Sequence, residues 1–339
     1  MTELKNIRAV GLVSGGLDSI LAVRLIMDQG IEVIGLHMVS PFTVEAGPAG
    51  PKENIVEKQA REYGFIYRPL YLDSDYIEVI RNPRYGYGAH INPCVDCHIY
   101  FLRKAAEVME EEGAQFVFTG EVISQRPMSQ TRPMLQLIEK QSSLKGYLLR
   151  PLSALKLEPT IPEKLGWVKR DLLLDIYGRS RSRQMELARH YGITHFQAPA
   201  GGCLLTDPHY SRRLECLFSC GFHDMNSIHL LQAGRTLNLA PGALLIVGRN
   251  EEDNNILANL ASENDILLEA EGGGSPLCIL RGPADDALIS LAAAITRRFS
   301  RMRDDPAVAV MVRRCDTGEV NTITPPLIAP DETKQYIIQ

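Results

Sequence analysis

The stretch Ser14-Gly15-Gly16-Leu17-Asp18-Ser19 lies where an apolar run gives way to an amphipathic one, and its reading decides the fold. Residues 9–13 are short, apolar and end in a β-branched side chain, which predicts a buried strand. Across residues 19–29, Ile20, Leu21, Val23, Leu25 and Ile26 share one broad face, which predicts a helix. Two adjacent glycines and flanking serines at that junction let the backbone approach an anion. The first amides of the helix then point at it with the positive end of the helix dipole. A phosphate-bearing ligand is the expected occupant; an ordinary glycine-rich strand–helix turn is the plain alternative. The stretch lacks the lysine of a Walker loop, and it is not a G-x-G-x-x-G fingerprint.

A chain of 339 residues allows two or three domains. Its 45% hydrophobic and 23% charged content is that of a soluble globular protein. No run approaches about 18 uninterrupted apolar residues, and the first residues lack a signal-peptide pattern. The expectation is a cytoplasmic protein with no membrane partner. Seven cysteines, an odd number, do not suggest a disulfide framework, so metal or redox chemistry is expected of any that cluster. A net charge of −5 gives no global attraction to nucleic acid, which would need a local basic face.

Outward from the first strand and helix, the pattern keeps alternating. Strands are expected at 31–38, 65–71, 115–119 and 146–149, and helices at 53–63, 75–81 and 94–112, with Pro- and Gly-rich loops at 40–51 and 85–93. This predicts an α/β fold with a doubly wound, mostly parallel sheet and ligands at the carboxyl ends of its strands. Residues 1–155 are expected to form that domain. A helical extension follows over 156–232, with helices at 169–176 and 181–191. Residues 233–339 read as a smaller α+β domain, with strands at 243–247, 266–268 and 277–280 and helices at 250–260 and 284–298.

Cys94-Val95-Asp96-Cys97-His98 opens a helix after the Asn92-Pro93 turn. Thiols at a helix N-terminus have depressed pKa values and are good nucleophiles and metal ligands. The string also matches a c-type haem attachment site, which the absence of an export signal argues against. Cys203 lies in a loop of small residues, 198–203. Three cysteines in this pattern suggest three protein ligands with one position open, as in catalytic zinc or an iron–sulfur cluster with one free iron. His98 or His195 as a fourth ligand would make a closed zinc site, and a persulfide relay would need no metal. Cys216, Cys220, Cys278 and Cys315 read as structural.

Together the loop at 14–19, the cysteine helix and Cys203 resemble the PP-loop ATP pyrophosphatases, in particular the tRNA thiouridine synthetases. Gly35-Leu36-His37-Met38 resembles the second-strand end where the backbone meets adenine. Residues 92–97 resemble the Asn-Pro-x-x-x-Cys segment of the 2-thiouridylases. Phe118-Thr119-Gly120 resembles their Thr-Gly strand end, with Glu121 in place of the usual histidine. The three cysteines resemble those of the thiolases that hold a 4Fe–4S cluster. The C-terminal region resembles an NFACT-R domain through residues 246–255, Asp265 and Gly274-Ser275, with Leu267, Glu269 and Pro276 where that family tends to show Trp, His and His.

The resemblance implies a Rossmann-like PP-loop (HUP) domain and ATP-dependent thiolation of tRNA. ATP adenylates a nucleobase carbonyl, uridine being expected, and sulfur replaces its oxygen. By the same resemblance Ser14, Gly15, Gly16, Leu17, Asp18, Ser19, Met38, Gly120 and Arg126 bind ATP, with Asp18 orienting pyrophosphate or its Mg²⁺. Cys94, Cys97 and Cys203 hold the 4Fe–4S cluster and, with Asp18, carry the catalysis; Zn²⁺ or no metal is the alternative. Lys169, Arg170, Arg179, Arg181 and Arg183 are the first candidates for the tRNA backbone, and Arg297, Arg298, Arg301 and Arg303 the second. A sulfur donor, sulfide or a persulfide carrier, is an implied partner, and a homodimer is one assembly left open. The competing readings are a PP-loop ligase or amidotransferase acting on a small metabolite, and a nucleotide-gated RNA-binding module.

Overall fold

A computed structural model describes residues 7–43, 54–197 and 203–338. The described chain falls into two compact units, one ending at Cys203 and the other running from Leu204. Residues 156–232, expected as an extension of their own, are divided between these units.

The first unit contains β1 (Arg8–Leu12), α1 (Leu17–Met27), β2 (Glu32–Val39), α2 (Ile55–Tyr63), β3 (Ile66–Tyr71) and α3 (Ser74–Arg81). It continues with α4 (Cys94–Glu111), β4 (Phe116–Thr119), α5 (Arg132–Gln141), β5 (Leu148–Leu149), α6 (Ile161–Lys164) and α7 (Ser182–His190). Its five strands pair in parallel in the order β3-β2-β1-β4-β5. Side chains alternate across the pleat. Ala9, Val33, Phe116 and Phe118 pack with α1 in one core, while Val10, Ile34 and Val117 pack with α4 and α5 in the other. The sheet is therefore covered on both faces, which is the doubly wound arrangement expected. Strand order reverses between β1 and β4, where an open α/β sheet leaves its ligand crevice.

Three local differences from expectation have physical causes. Helix α1 starts at Leu17 rather than Ser19 and is buried on nearly every side, because apolar residues run all round it. Residues 169–176 form only a short 3₁₀ turn at Arg170–Leu172. Beyond it the backbone pairs outward: the amides of Leu174 and Ile176 donate to the carbonyls of Pro151 and Leu152 at 2.9 and 2.8 Å. Helix α5 is an addition, with a proline near its start and Leu135 and Ile138 buried.

The second unit begins with α8 (Pro208–Ser219) and α9 (Met225–Leu230), followed by β6 (Arg235–Ala240), β7 (Ala243–Val247), α10 (Glu251–Leu260), β8 (Ile266–Ala270) and β9 (Cys278–Arg281). It closes with α11 (Asp286–Phe299), β10 (Val310–Arg314), β11 (Val320–Ile323) and α12 (Pro330–Lys334). The six strands form an antiparallel sheet in the order β11-β10-β8-β9-β7-β6. Ile289, Ala292, Ala293 and Ile295 of α11 pack on Leu245, Leu268 and Leu280. A buried ion pair fixes β9: Arg281 donates to Asp265 at 2.6 and 2.9 Å and to Ser227 Oγ at 2.8 Å. Arg297 is not a surface contact, since it is 1% exposed and donates to the Pro325 carbonyl at 2.7 Å.

Candidate active site

The loop between β1 and α1 sits at the carboxyl end of the sheet. Gly15 takes φ +77°, a left-handed conformation that disfavours any side chain, and Gly16 is the extended N-cap of α1. Ser19 Oγ donates back to the Gly16 carbonyl at 2.8 Å and accepts from the Ser14 amide at 3.3 Å, closing the loop on itself. From outside, Gln59 Nε2 and the Gln197 amide both donate to the Gly15 carbonyl, at 3.2 and 3.0 Å. Gly120, at the end of β4, lies so close to α1 that a Cβ there would stand 2.5 Å from Asp18 and Ser19 backbone atoms. The loop is thus held rigidly with α1's first amides toward the crevice, as an anion site needs.

Asp18 is the charged member of the loop. Gln125 Nε2 donates to its Oδ2 at 2.6 Å, and Gln184 of α7 donates to Gln125 Oε1 at 3.0 Å. Its other oxygen, Oδ1, is buried without a hydrogen bond, 4.0 Å from Arg181 Nη2. An orphaned carboxylate oxygen beside a phosphate loop fits a hard cation such as Mg²⁺. Met38 lies half-buried at the end of β2, one residue beyond His37, whose imidazole burial holds down at about 4 and hence neutral. Asn54 links the two elements there, donating to His37 Nδ1 at 3.0 Å and Tyr67 at 3.1 Å.

Helix α4 begins at Cys94, and its first-turn Asp96 accepts from the Arg84 and Tyr85 amides at 3.0 Å each. One turn on, His98 Nδ1 lies 2.9 Å from Glu121, which also accepts from Thr119 and Arg150 at 3.0 Å each. Burial alone would raise the Cys94 thiol, but the hydrogen bond and charge of His98 outweigh it and bring it down to about 7. Burial pushes the Cys97 thiol well up, and its Sγ lies 3.2 Å from the Tyr76 hydroxyl. Cys203 is exposed, bridges Thr43 in an antiparallel pair, and is close enough to Cys97 and Tyr76 to act on them electrostatically. Residues 198–202, the small-residue loop before Cys203, lie outside the described residues.

Among the described residues, no three His, Cys, Asp or Glu side chains converge on one ion. Three thiols are donors of the kind that iron–sulfur clusters take, one to each iron they hold.

The arginine candidates separate. Arg170 pairs with Glu163 and donates to the Ala154 and Leu157 carbonyls, so it secures its own loop. Arg183 pairs with Asp175, and Arg181 faces Asp18 beside the loop at 14–19. Lys169 and Arg179 are exposed. Arg126 is exposed too, near enough to Cys94 to lower its thiol. Sequence reasoning passed over Gln125 and Gln184 as site residues; it weighed His98, one turn from Cys94, only as a fourth zinc ligand, and noted Glu121 only where the resembled family has a histidine.

The parallel sheet, with the Ser14–Ser19 loop at its carboxyl end, has the form of a Rossmann-like unit. More particularly, residues 5–161 match the family model described as thiamine biosynthesis protein (ThiI), and residues 234–337 match that of the NFACT protein RNA binding domain. Similar proteins include the tRNA-specific 2-thiouridylase MnmA of Pelobacter propionicus, 32% identical over 32% of this chain and 31% of that protein. A probable tRNA sulfurtransferase of Methanothermobacter thermautotrophicus is 32% identical over 37% of this chain and 32% of its own. The chain thus spans about a third of the length of these relatives. A crystal structure of a 4-thiouridine synthetase–RNA complex with bound ATP is 22% identical over 66% of this chain and 52% of that one, with a TM-score of 0.35.

Proposed function

We propose that this chain is an ATP-dependent tRNA sulfurtransferase. The observation that carries the reading is one short span of chain. Gln197 pairs with Gly16 in the phosphate loop, and six residues later Cys203 pairs with Thr43 within electrostatic reach of Cys97. Six residues reach at most about 20 Å, so Cys203 is tethered within that distance of the loop at 14–19, which supports one reaction space for both. The ThiI match over the first unit and the RNA-binding match over the second support ATP and tRNA as the reactants.

A carbonyl oxygen of the base is a poor leaving group. Its attack on the α-phosphorus of ATP releases pyrophosphate and makes the oxygen part of an AMP ester. Sulfide then adds to the same ring carbon and AMP departs with the oxygen. Ser14, Gly15, Gly16, Leu17 and Ser19 would cradle the pyrophosphate, with Asp18 holding Mg²⁺ and Arg181 adding positive charge beside it. Gly120 would let the end of β4 press against α1 and hold the phosphate loop in place, and Met38 would border the adenine. Cys94, Cys97 and Cys203 would hold a 4Fe–4S cluster, which when bound supplies a site for the incoming sulfide. The chain's own task at the first step is position and charge neutralisation.

The test is pyrophosphate release with and without tRNA, alongside iron and acid-labile sulfide content of anaerobically purified protein. Release that needs tRNA, in protein carrying both iron and sulfide, is expected. Release driven by a small metabolite without tRNA, or ATP binding without turnover, would replace the reading with one of its competitors.

A further inference from the structure

The second unit contains a cleft of about 860 Å³, lined by the loop after β7, the turn between β8 and β9, the end of α11 and helix α12. Six cationic side chains line it: Arg235, Arg249, Arg298, Arg301, Arg303 and Lys334. Three of them have carboxylate neighbours, since Arg249 meets Asp253 at 2.6 Å, Arg303 meets Asp304 at 3.7 Å and Lys334 meets Asp331 at 2.9 Å. Among the described residues, Arg235, Arg298 and Arg301 have no carboxylate partner. The backbone makes room for this arrangement. Gly274 takes φ +67°, and a Cβ on it would stand 2.4 Å from Arg301 Cδ, so the glycine turn gives the Arg301 stem its path.

The lining also holds one carboxylate, Glu251, yet three guanidinium groups without a carboxylate partner in one cleft favour an anion there, on a chain of net charge −5. The guanidinium fork matches phosphate oxygens. The aromatic ring in the cleft, Phe299, is already covered by Arg235 at 5.3 Å, so the cleft presents charge rather than a stacking face for bases. We propose that this cleft grips the phosphodiester backbone of the tRNA, with Arg235, Arg298 and Arg301 each meeting a phosphate, without reading sequence. This deepens the RNA-substrate reading given above and rests on it; the RNA-binding match spans every lining residue named.

The experiment is equilibrium binding of labelled tRNA to the full chain across a salt series, for wild type, the Arg298→Gln/Arg301→Gln double variant and Arg235→Gln. Each phosphate contact contributes about 0.7–0.9 to the slope of log affinity against log salt. The double variant should therefore lose about 1.4–1.8 in slope and Arg235→Gln about 0.7–0.9, with equal losses on an unrelated RNA of the same length. Arg235, on a different element, keeps the test open if the double variant does not fold. Unchanged slopes, or tRNA displaced from wild type no better than polyglutamate while the variants bind as before, would overturn the cleft assignment. Thiolation assayed on the same samples separates the two ideas. Full thiolation with unchanged slopes removes the cleft alone; lost slopes with no thiolation by wild type remove the enzyme reading alone.

Discussion

Replacing Glu121 by Gln tests how the sheet end and the cysteine helix are joined. Glu121 is 5% exposed and accepts from His98, Thr119 and Arg150; burial alone would raise its carboxyl, but the charges and hydrogen bonds of Arg150 and His98 outweigh it and hold it at about 2 against an ordinary 4.5. A carboxylate lowered that far on folding contributes about 3 kcal/mol once ionised in both states. Breaking a buried ion pair costs roughly 3–5 kcal/mol, and the low end applies because Arg150 keeps Glu139 at 3.0 Å. In a unit of this size each kcal/mol moves the melting temperature by about 2–4 °C, so Glu121→Gln should melt roughly 6–12 °C lower. The single tryptophan, Trp167, lies in the first unit, so its fluorescence follows that unit's unfolding. The sign with pH follows from the lowered carboxyl. Its stabilisation is complete above about pH 5 and is lost as pH falls from 4.5 toward 2, so the gap between the two proteins should close over that range. A variant melting within about 2 °C of wild type at pH 7, or a gap still open at the acid end, would refute the reasoning.

Gly120→Ala places a methyl against the backbone of Asp18 and Ser19, atoms that cannot turn aside, so a loss of about 1–3 kcal/mol is expected with ATP binding weakened at least tenfold by titration calorimetry. Cys203→Ala should abolish sulfur transfer while tRNA-dependent pyrophosphate release persists; full thiolation by that variant would end the three-cysteine account. Asp265→Ala strands the buried Arg281 guanidinium and should cost the second unit about 3–5 kcal/mol, read by scanning calorimetry.

The parallel sheet was legible because its strands are short apolar runs alternating with helices, and the loop at 14–19 because two glycines interrupt that pattern where a helix starts. The Asp18–Gln125–Gln184–Arg181 cluster was not. Gln125 is 107 residues from Asp18 in sequence, and polar contacts at such separation leave no local periodicity. The helix expected at 169–176 failed because its apolar spacing suited a helix, while pairing with residues 151 and 152 drew the backbone out straight. Arg297 misled for a different reason: an arginine reads as surface, yet this one sits in the interior against a proline carbonyl. Strands β10 and β11 follow β8 by antiparallel pairing, and their short alternating runs carry little signal alone.

The central claim joins ATP cleavage to sulfur insertion, so both products must be counted in one reaction. Anaerobic protein, ATP, Mg²⁺, sulfide and tRNA would be incubated together, with AMP measured directly and the digested nucleosides analysed by mass spectrometry. The account predicts one AMP for each thiolated nucleoside, and neither product when tRNA or ATP is omitted. Thiolated nucleoside formed without AMP, or AMP formed at full rate without tRNA, would contradict it.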